Sequence, residues 1–90
     1  MPQPDSLSLD GRHFKLFLSI FEKGGVAEGA RAIGLDPVAA NDLLSELRQA
    51  LNDDLFIRVS GGLTPTDYAD KIAGRIREYV ATLEGLAVHD

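Results

Sequence analysis

The chain has 90 residues, 44% of them apolar and 26% charged, with no cysteine. One domain of that length buries about 60–65% of its unfolded surface; the composition argues against disorder, and disulfides, thiolate zinc sites and thiol nucleophiles are excluded. Nine Lys and Arg stand against fourteen Asp and Glu, a net charge of −5, so contact with a polyanion has to come from one favourable face.

Residues 1–9 hold two prolines and no helical repeat, and read as a loose arm without the basic start and apolar stretch of a signal peptide. Asp10 is placed to cap a first helix from Gly11 to Lys23, in which Phe14, Phe17, Leu18 and Phe21 recur at the spacing of one buried stripe. Gly24-Gly25 ends it, because glycine enters the left-handed conformation of a helix C-terminus with little strain. A short second helix follows from Val26 to Ile33. Val26, Ala30 and Ile33 lie on one side of it, small Gly29 allows a close helix approach, and Gly34 is the stop.

Asp36-Pro37 opens a third helix, with aspartate accepting the free amide protons and proline at the first helical position. Ala40, Leu43, Leu44, Leu47 and Leu51 form its apolar side. After the polar turn Asn52-Asp53-Asp54, residues 55–58 are β-prone, Ser60-Gly61-Gly62 makes a turn and Leu63 begins a returning strand. Thr64 with Asp67 three residues on has the pattern of a capping box for a final helix. Ala69, Ile72, Ala73, Ile76, Tyr79, Val80, Leu83 and Leu86 run down that helix at three-to-four spacing. Twenty residues span about 30 Å, more than the rest of so small a domain covers. Ile72, Ile76, Tyr79, Val80 and Leu83 are therefore expected to pair with a second copy.

The fold expected is mostly α: a winged helix-turn-helix with a small two-stranded β-wing and a long C-terminal dimerisation helix. The divisions expected are an arm over 1–9, the winged unit over 10–64 and the C-terminal helix over 65–87.

The run from Phe17 to Val26, then Ala30, Ile33, Leu35, Leu47, Leu51, Leu55-Phe56, Arg58 and Leu63-Thr64-Pro65, resembles the N-terminal domain of LysR-type transcriptional regulators. The pattern runs without a gap from Phe14 to Arg58. The resemblance implies a dimer that binds promoter DNA, with the third helix in the major groove, the wing along the backbone and the last helix joining two subunits. Such regulators continue into a ligand-sensing domain; this chain is then either the N-terminal piece of a longer protein or a single-domain relative. The departures fall on the DNA side. Where the family has a serine-rich start and arginines, this third helix carries Asp36, Asp42 and Glu46, and the shortened wing reads Val59-Ser60-Gly61-Gly62.

A wheel at 100° per residue sets Val38, Asp42, Ser45 and Gln49 opposite the leucines, with Asn41 beside them. Gln49 or Asn41 suits adenine, Asp42 suits cytosine N4, Ser45 suits base or phosphate, and Val38 suits a thymine methyl. Phosphate contact falls to the remaining cations. Arg31 and Arg58 lead, followed by Arg48, Arg12 and Lys15; the competing reading of each is a solvated arginine or lysine, or an arginine paired with Asp53 or Asp54.

Neither His13 nor His89 has cysteine or carboxylate at ligand spacing, and Gly24-Gly25 and Gly61-Gly62 lack the spacing of a phosphate loop. No metal, no cofactor, no enzymatic reaction and no membrane segment are expected, and a cytoplasmic location is. The alternative function is a protein-interaction module on the same scaffold, whose acidic third helix no longer holds DNA and which acts as an antagonist or assembly partner of a regulator.

Overall fold

The computed structural model describes residues 9–88, arranged as α1 (Gly11–Lys23), α2 (Val26–Ala32), α3 (Pro37–Leu51), β1 (Phe56–Val59), β2 (Gly62–Pro65) and α4 (Asp67–Val88). The expected winged helix-turn-helix is thus the observed architecture: helices with one two-stranded antiparallel sheet. The arm over residues 1–8 and His89 lie outside the described residues. Leu9, counted with the arm, packs against the core.

α1 is the central element, in contact with α2, α3 and α4. That position turns its buried line away from the simple aromatic stripe. His13, Leu16, Phe17, Ser19 and Ile20 are buried, whereas Phe14, Leu18 and Phe21 sit half-buried at the rim. A helix enclosed on several sides buries the residues where its neighbours converge, and hydrophobicity alone does not locate that line. Phe17 is the hub, its ring 5.8 Å from that of Phe21 and 5.3 Å from that of Phe56.

Gly24 ends α1 in the left-handed region, at φ 80°, with its N–H on the Ile20 carbonyl. α2 then crosses α1 closely at Gly29. A Cβ there would stand 2.8 Å from the Ile20 backbone nitrogen and 2.9 Å from its Cα. Ser19 closes the crossing, its hydroxyl donating to the Gly29 carbonyl at 2.7 Å. Ile33 is the C-cap of α2 rather than its last turn and is 38% exposed, so the second helix buries Ala30 more fully than its ends.

α3 starts as expected: the Asp36 carboxylate accepts from the Val38 and Ala39 amides, and Pro37 occupies the first turn. Ala40, Leu43, Leu44 and Leu47 are buried, and Leu51 is half-buried. Asn52 leaves the helix in the left-handed conformation. The next left-handed residue is Leu55, at φ 67°, with its side chain fully buried. A branched side chain reaches that region only at a cost. Its surroundings offset it: Leu55 N–H donates to Asp53 Oδ2 at 2.8 Å, and its carbonyl accepts from Thr66 N–H at 2.9 Å.

The wing pairs Phe56 with Pro65, Ile57 with Thr64, Arg58 with Leu63 and Val59 with Gly62. Its return strand is tied to the α1–α2 turn, since Leu63 N–H donates to the Gly24 carbonyl at 3.1 Å. Thr64 is therefore spent in β2, and the α4 cap falls two residues later than the capping-box pattern placed it. Thr66 Oγ1 accepts from the Ala69 amide at 3.0 Å.

α4 turns Ala69, Ala73, Ile76 and Val80 into the core. Ile76 and Val80, assigned from the sequence to a seam with a second copy, are instead 7% and 6% exposed within one chain. Ile72 and Leu83 are half-buried, and Tyr79 is 45% exposed. The three-to-four spacing combined two neighbouring faces, one against α1 and one outward.

Candidate nucleic-acid interface

The five residues placed by the helical wheel, Val38, Asn41, Asp42, Ser45 and Gln49, are all exposed on α3. Val38 is the most open of the large apolar side chains among the described residues, at 69%. Asn41 donates through Nδ2 to the Pro37 carbonyl at 3.1 Å, which fixes its amide and leaves Oδ1 outward as an acceptor. The face offers acceptors, a hydroxyl and a methyl-bearing side chain, the groups that read base edges in a major groove.

The three carboxylates that set this helix apart have different fates. Asp36 is committed to the helix N-terminus. Glu46 lies on the flank toward α1, its Oε1 2.7 Å from Nε2 of buried His13. Asp42 alone stands on the open face, and among the described residues no side chain bonds to it. A helix that counts as acidic in sequence thus presents one free carboxylate at the centre of its exposed side.

His13 joins two elements. It is the third residue of α1, and its Nδ1 accepts from the Asp10 amide at 3.0 Å, completing a capping box in which the Asp10 carboxylate accepts in return. The ring is 2% exposed. Sequence reading set this residue aside because it lacked metal-ligand neighbours; the signal available was a histidine three residues after a capping aspartate. Burial alone would raise the Asp10 carboxyl. The bonds from the Arg12 backbone and guanidinium and that cation's charge outweigh it, and the Asp10 carboxyl lies below its ordinary 3.8.

The cations divide in the same way. Arg31 and Arg58 are exposed, and neither is in a salt bridge among the described residues. Asp53 is occupied instead by Leu55 and Thr66. Arg48, named as a phosphate ligand, is half-buried and donates through Nε to the Asp54 carbonyl at 2.9 Å, bracing the turn into the wing. Arg12 lies 3.4 Å from Asp10, and Lys15 lies 3.7 Å from Glu84. Of the five cations singled out from the sequence, Arg31 at the end of α2 and Arg58 on the wing are the two left exposed without a bond to the protein among the described residues. Elsewhere on β1, Ile57 and Val59 are about half exposed.

Between α1 and α4, Phe14, Arg75, Ile76 and Tyr79 line an open apolar cleft. The Phe14 and Tyr79 rings meet edge to face, centroids 5.3 Å apart. Among the described residues there is no cluster of three or more metal-ligating side chains and no helix long and apolar enough to cross a membrane.

Comparison with known proteins locates this arrangement. The chain is 34% identical over 79 residues to the HTH-type transcriptional regulator LinR of Sphingobium indicum, covering 88% of this chain and 26% of LinR. Its fold matches a probable transcriptional regulator of Pseudomonas aeruginosa, PA0477, with a TM-score of 0.79 and 28% identity over 93% of this chain and 28% of that one. A complex of the BenM DNA-binding domain with the benA site 1 DNA matches with a TM-score of 0.78, covering 88% of this chain and 92% of that one. Identity there is 14%, so the likeness is one of fold. The chain spans about a quarter of the length of the full regulators it matches. Residues 11–70 match the family model described as bacterial regulatory helix-turn-helix protein, lysR family, and the chain belongs to that family.

Proposed function

We propose that this domain binds double-stranded promoter DNA as a homodimer and regulates transcription, with α3 in the major groove. The observation that carries the reading is the α3 surface itself. Both flanks are tied down, Glu46 to α1 and Arg48 to the wing turn, while Val38, Asn41, Asp42, Ser45 and Gln49 point outward together. Phe14, Tyr79 and the outer side of α4, with Ile72 and Leu83 at its margin, supply the contact with the second copy. That arrangement sets two α3 helices in successive major grooves. The activity is binding, with no chemical step, and its place is the cytoplasm.

A scarce supply of phosphate-contacting cations makes this a weak non-specific binder. Each phosphate neutralised adds about 0.9 to the salt slope, and Arg31 with Arg58 in two subunits sets a shallow one. Fluorescence anisotropy against mixed genomic duplexes, at low and at physiological salt, tests the reading. Binding that weakens with salt supports it; no binding at low salt overturns it. One observation favours a second reading: Asp42 at the centre of α3 and a net charge of −5 suit a basic protein surface better than phosphate. In that case the domain antagonises or assembles with another regulator.

A further inference from the structure

We infer that His13 is a positioning residue for the DNA-facing helix, whose task is to hold the Glu46 carboxylate away from the phosphates. The inference rests on the DNA-binding reading above and gives a reason why an acidic α3 is compatible with it. Glu46 follows Ser45 directly and is 58% exposed in its side chain, so a freely rotating carboxylate there would sweep the edge of the exposed face. It is held instead by a 2.7 Å bond to a ring that is itself 2% exposed. The ring cannot swing, because its Nδ1 accepts from the Asp10 amide at 3.0 Å and lies 3.3 Å from Asp10 Oδ1. The neutral tautomer fixed by that amide bond and the imidazolium both carry the proton on Nε2. In either state Nε2 donates to Glu46. The first turn of α1 is thus the anchor, and α3 gains a fixed flank where its sequence has a mobile negative charge.

Two variants release the carboxylate by different routes. His13→Leu fills the buried space of the ring and removes the donor to Glu46, together with the acceptor for the Asp10 amide. Glu46→Asp keeps the charge on a side chain one methylene too short to reach the ring. Each is expected to weaken DNA binding up to about twofold at low salt, the most that one charge brought to roughly 8 Å from a phosphate across solvent supplies. The loss shrinks at high salt. The double variant His13→Leu with Glu46→Gln has no charge to release and is expected to regain the lost affinity, a rescue that damage to the α1 cap would not permit. In the parent, imidazole nitrogen NMR is expected to show a proton on Nε2 of His13.

Both single variants binding as tightly as the parent, a double variant as weak as His13→Leu alone, or a His13 ring protonated on Nδ1 only would each overturn the inference while leaving the DNA-binding reading intact. A parent that binds no duplex at low salt removes both together.

Discussion

Asp53 is expected to be the most consequential polar residue outside the exposed α3 face. Its Oδ2 accepts two bonds, from the Leu55 amide at 2.8 Å and from the Thr66 hydroxyl at 2.7 Å. The first holds a fully buried leucine in a left-handed conformation; the second orients the hydroxyl that caps α4. Asp53→Ala strands the Leu55 amide away from solvent, which costs about 1–3 kcal/mol, and loosens the Thr66 cap, which adds up to about 1 kcal/mol. The sum, about 1–4 kcal/mol, corresponds to a fall in Tm of about 4–30 °C for a domain of this size. Asp53→Asn is the control. Both bonds go to one oxygen, so an asparagine Oδ1 can accept both and loses only the strengthening due to charge, about 1 kcal/mol. Urea and thermal unfolding of parent, Asp53→Ala and Asp53→Asn, followed by circular dichroism, test the ranking. An alanine variant within 0.5 kcal/mol of the parent, or an asparagine variant as unstable as alanine, would refute this account of the α3–wing junction.

Four further outcomes are expected. Gly29→Ala forces a methyl group onto the Ile20 backbone and should destabilise by about 1–3 kcal/mol in urea unfolding, although alanine is the better helix former. Tyr79→Asp should dissociate a dimer and leave the fold intact by sedimentation and circular dichroism, whereas Ile76→Asp should unfold the single chain, since Ile76 is buried in its own core. Arg31→Ala and Arg58→Ala should each lower the salt slope of DNA binding evenly across sequences, while Asn41→Ala and Ser45→Ala should change sequence preference in a competition assay. The lowered carboxyl of Asp10 means the unfolded state binds its proton first on acidification. Its contribution is present above the ordinary 3.8 and disappears as pH falls through the lower folded value. Asp10→Asn should flatten the pH dependence of the urea midpoint as pH falls below the ordinary 3.8.

What the sequence determined is what short-range chemistry controls. The caps at Asp10 and Asp36, the stop at Gly24 and the register that exposes Val38, Asn41, Asp42, Ser45 and Gln49 each depend on residues within a turn or two of one another. Backbone hydrogen bonding and a 3.6-residue period fix them before any tertiary contact forms. The Thr66 cap is a near miss of the same kind, displaced when pairing of Ile57 with Thr64 claimed the earlier threonine for the wing.

The tertiary structure decided which polar groups were available and which apolar ones were spent. Glu46 meets a histidine 33 positions away, and Asp53 meets Thr66 across the wing. Arg48 turns to a backbone carbonyl instead of outward, and Ile76 and Val80 turn inward while Tyr79 does not. No periodicity encodes these outcomes. They follow from how α1, α3 and α4 converge, because a side chain's partner is set by the packing of elements distant in sequence. That packing leaves Asp42 as the carboxylate at the centre of the exposed α3 face.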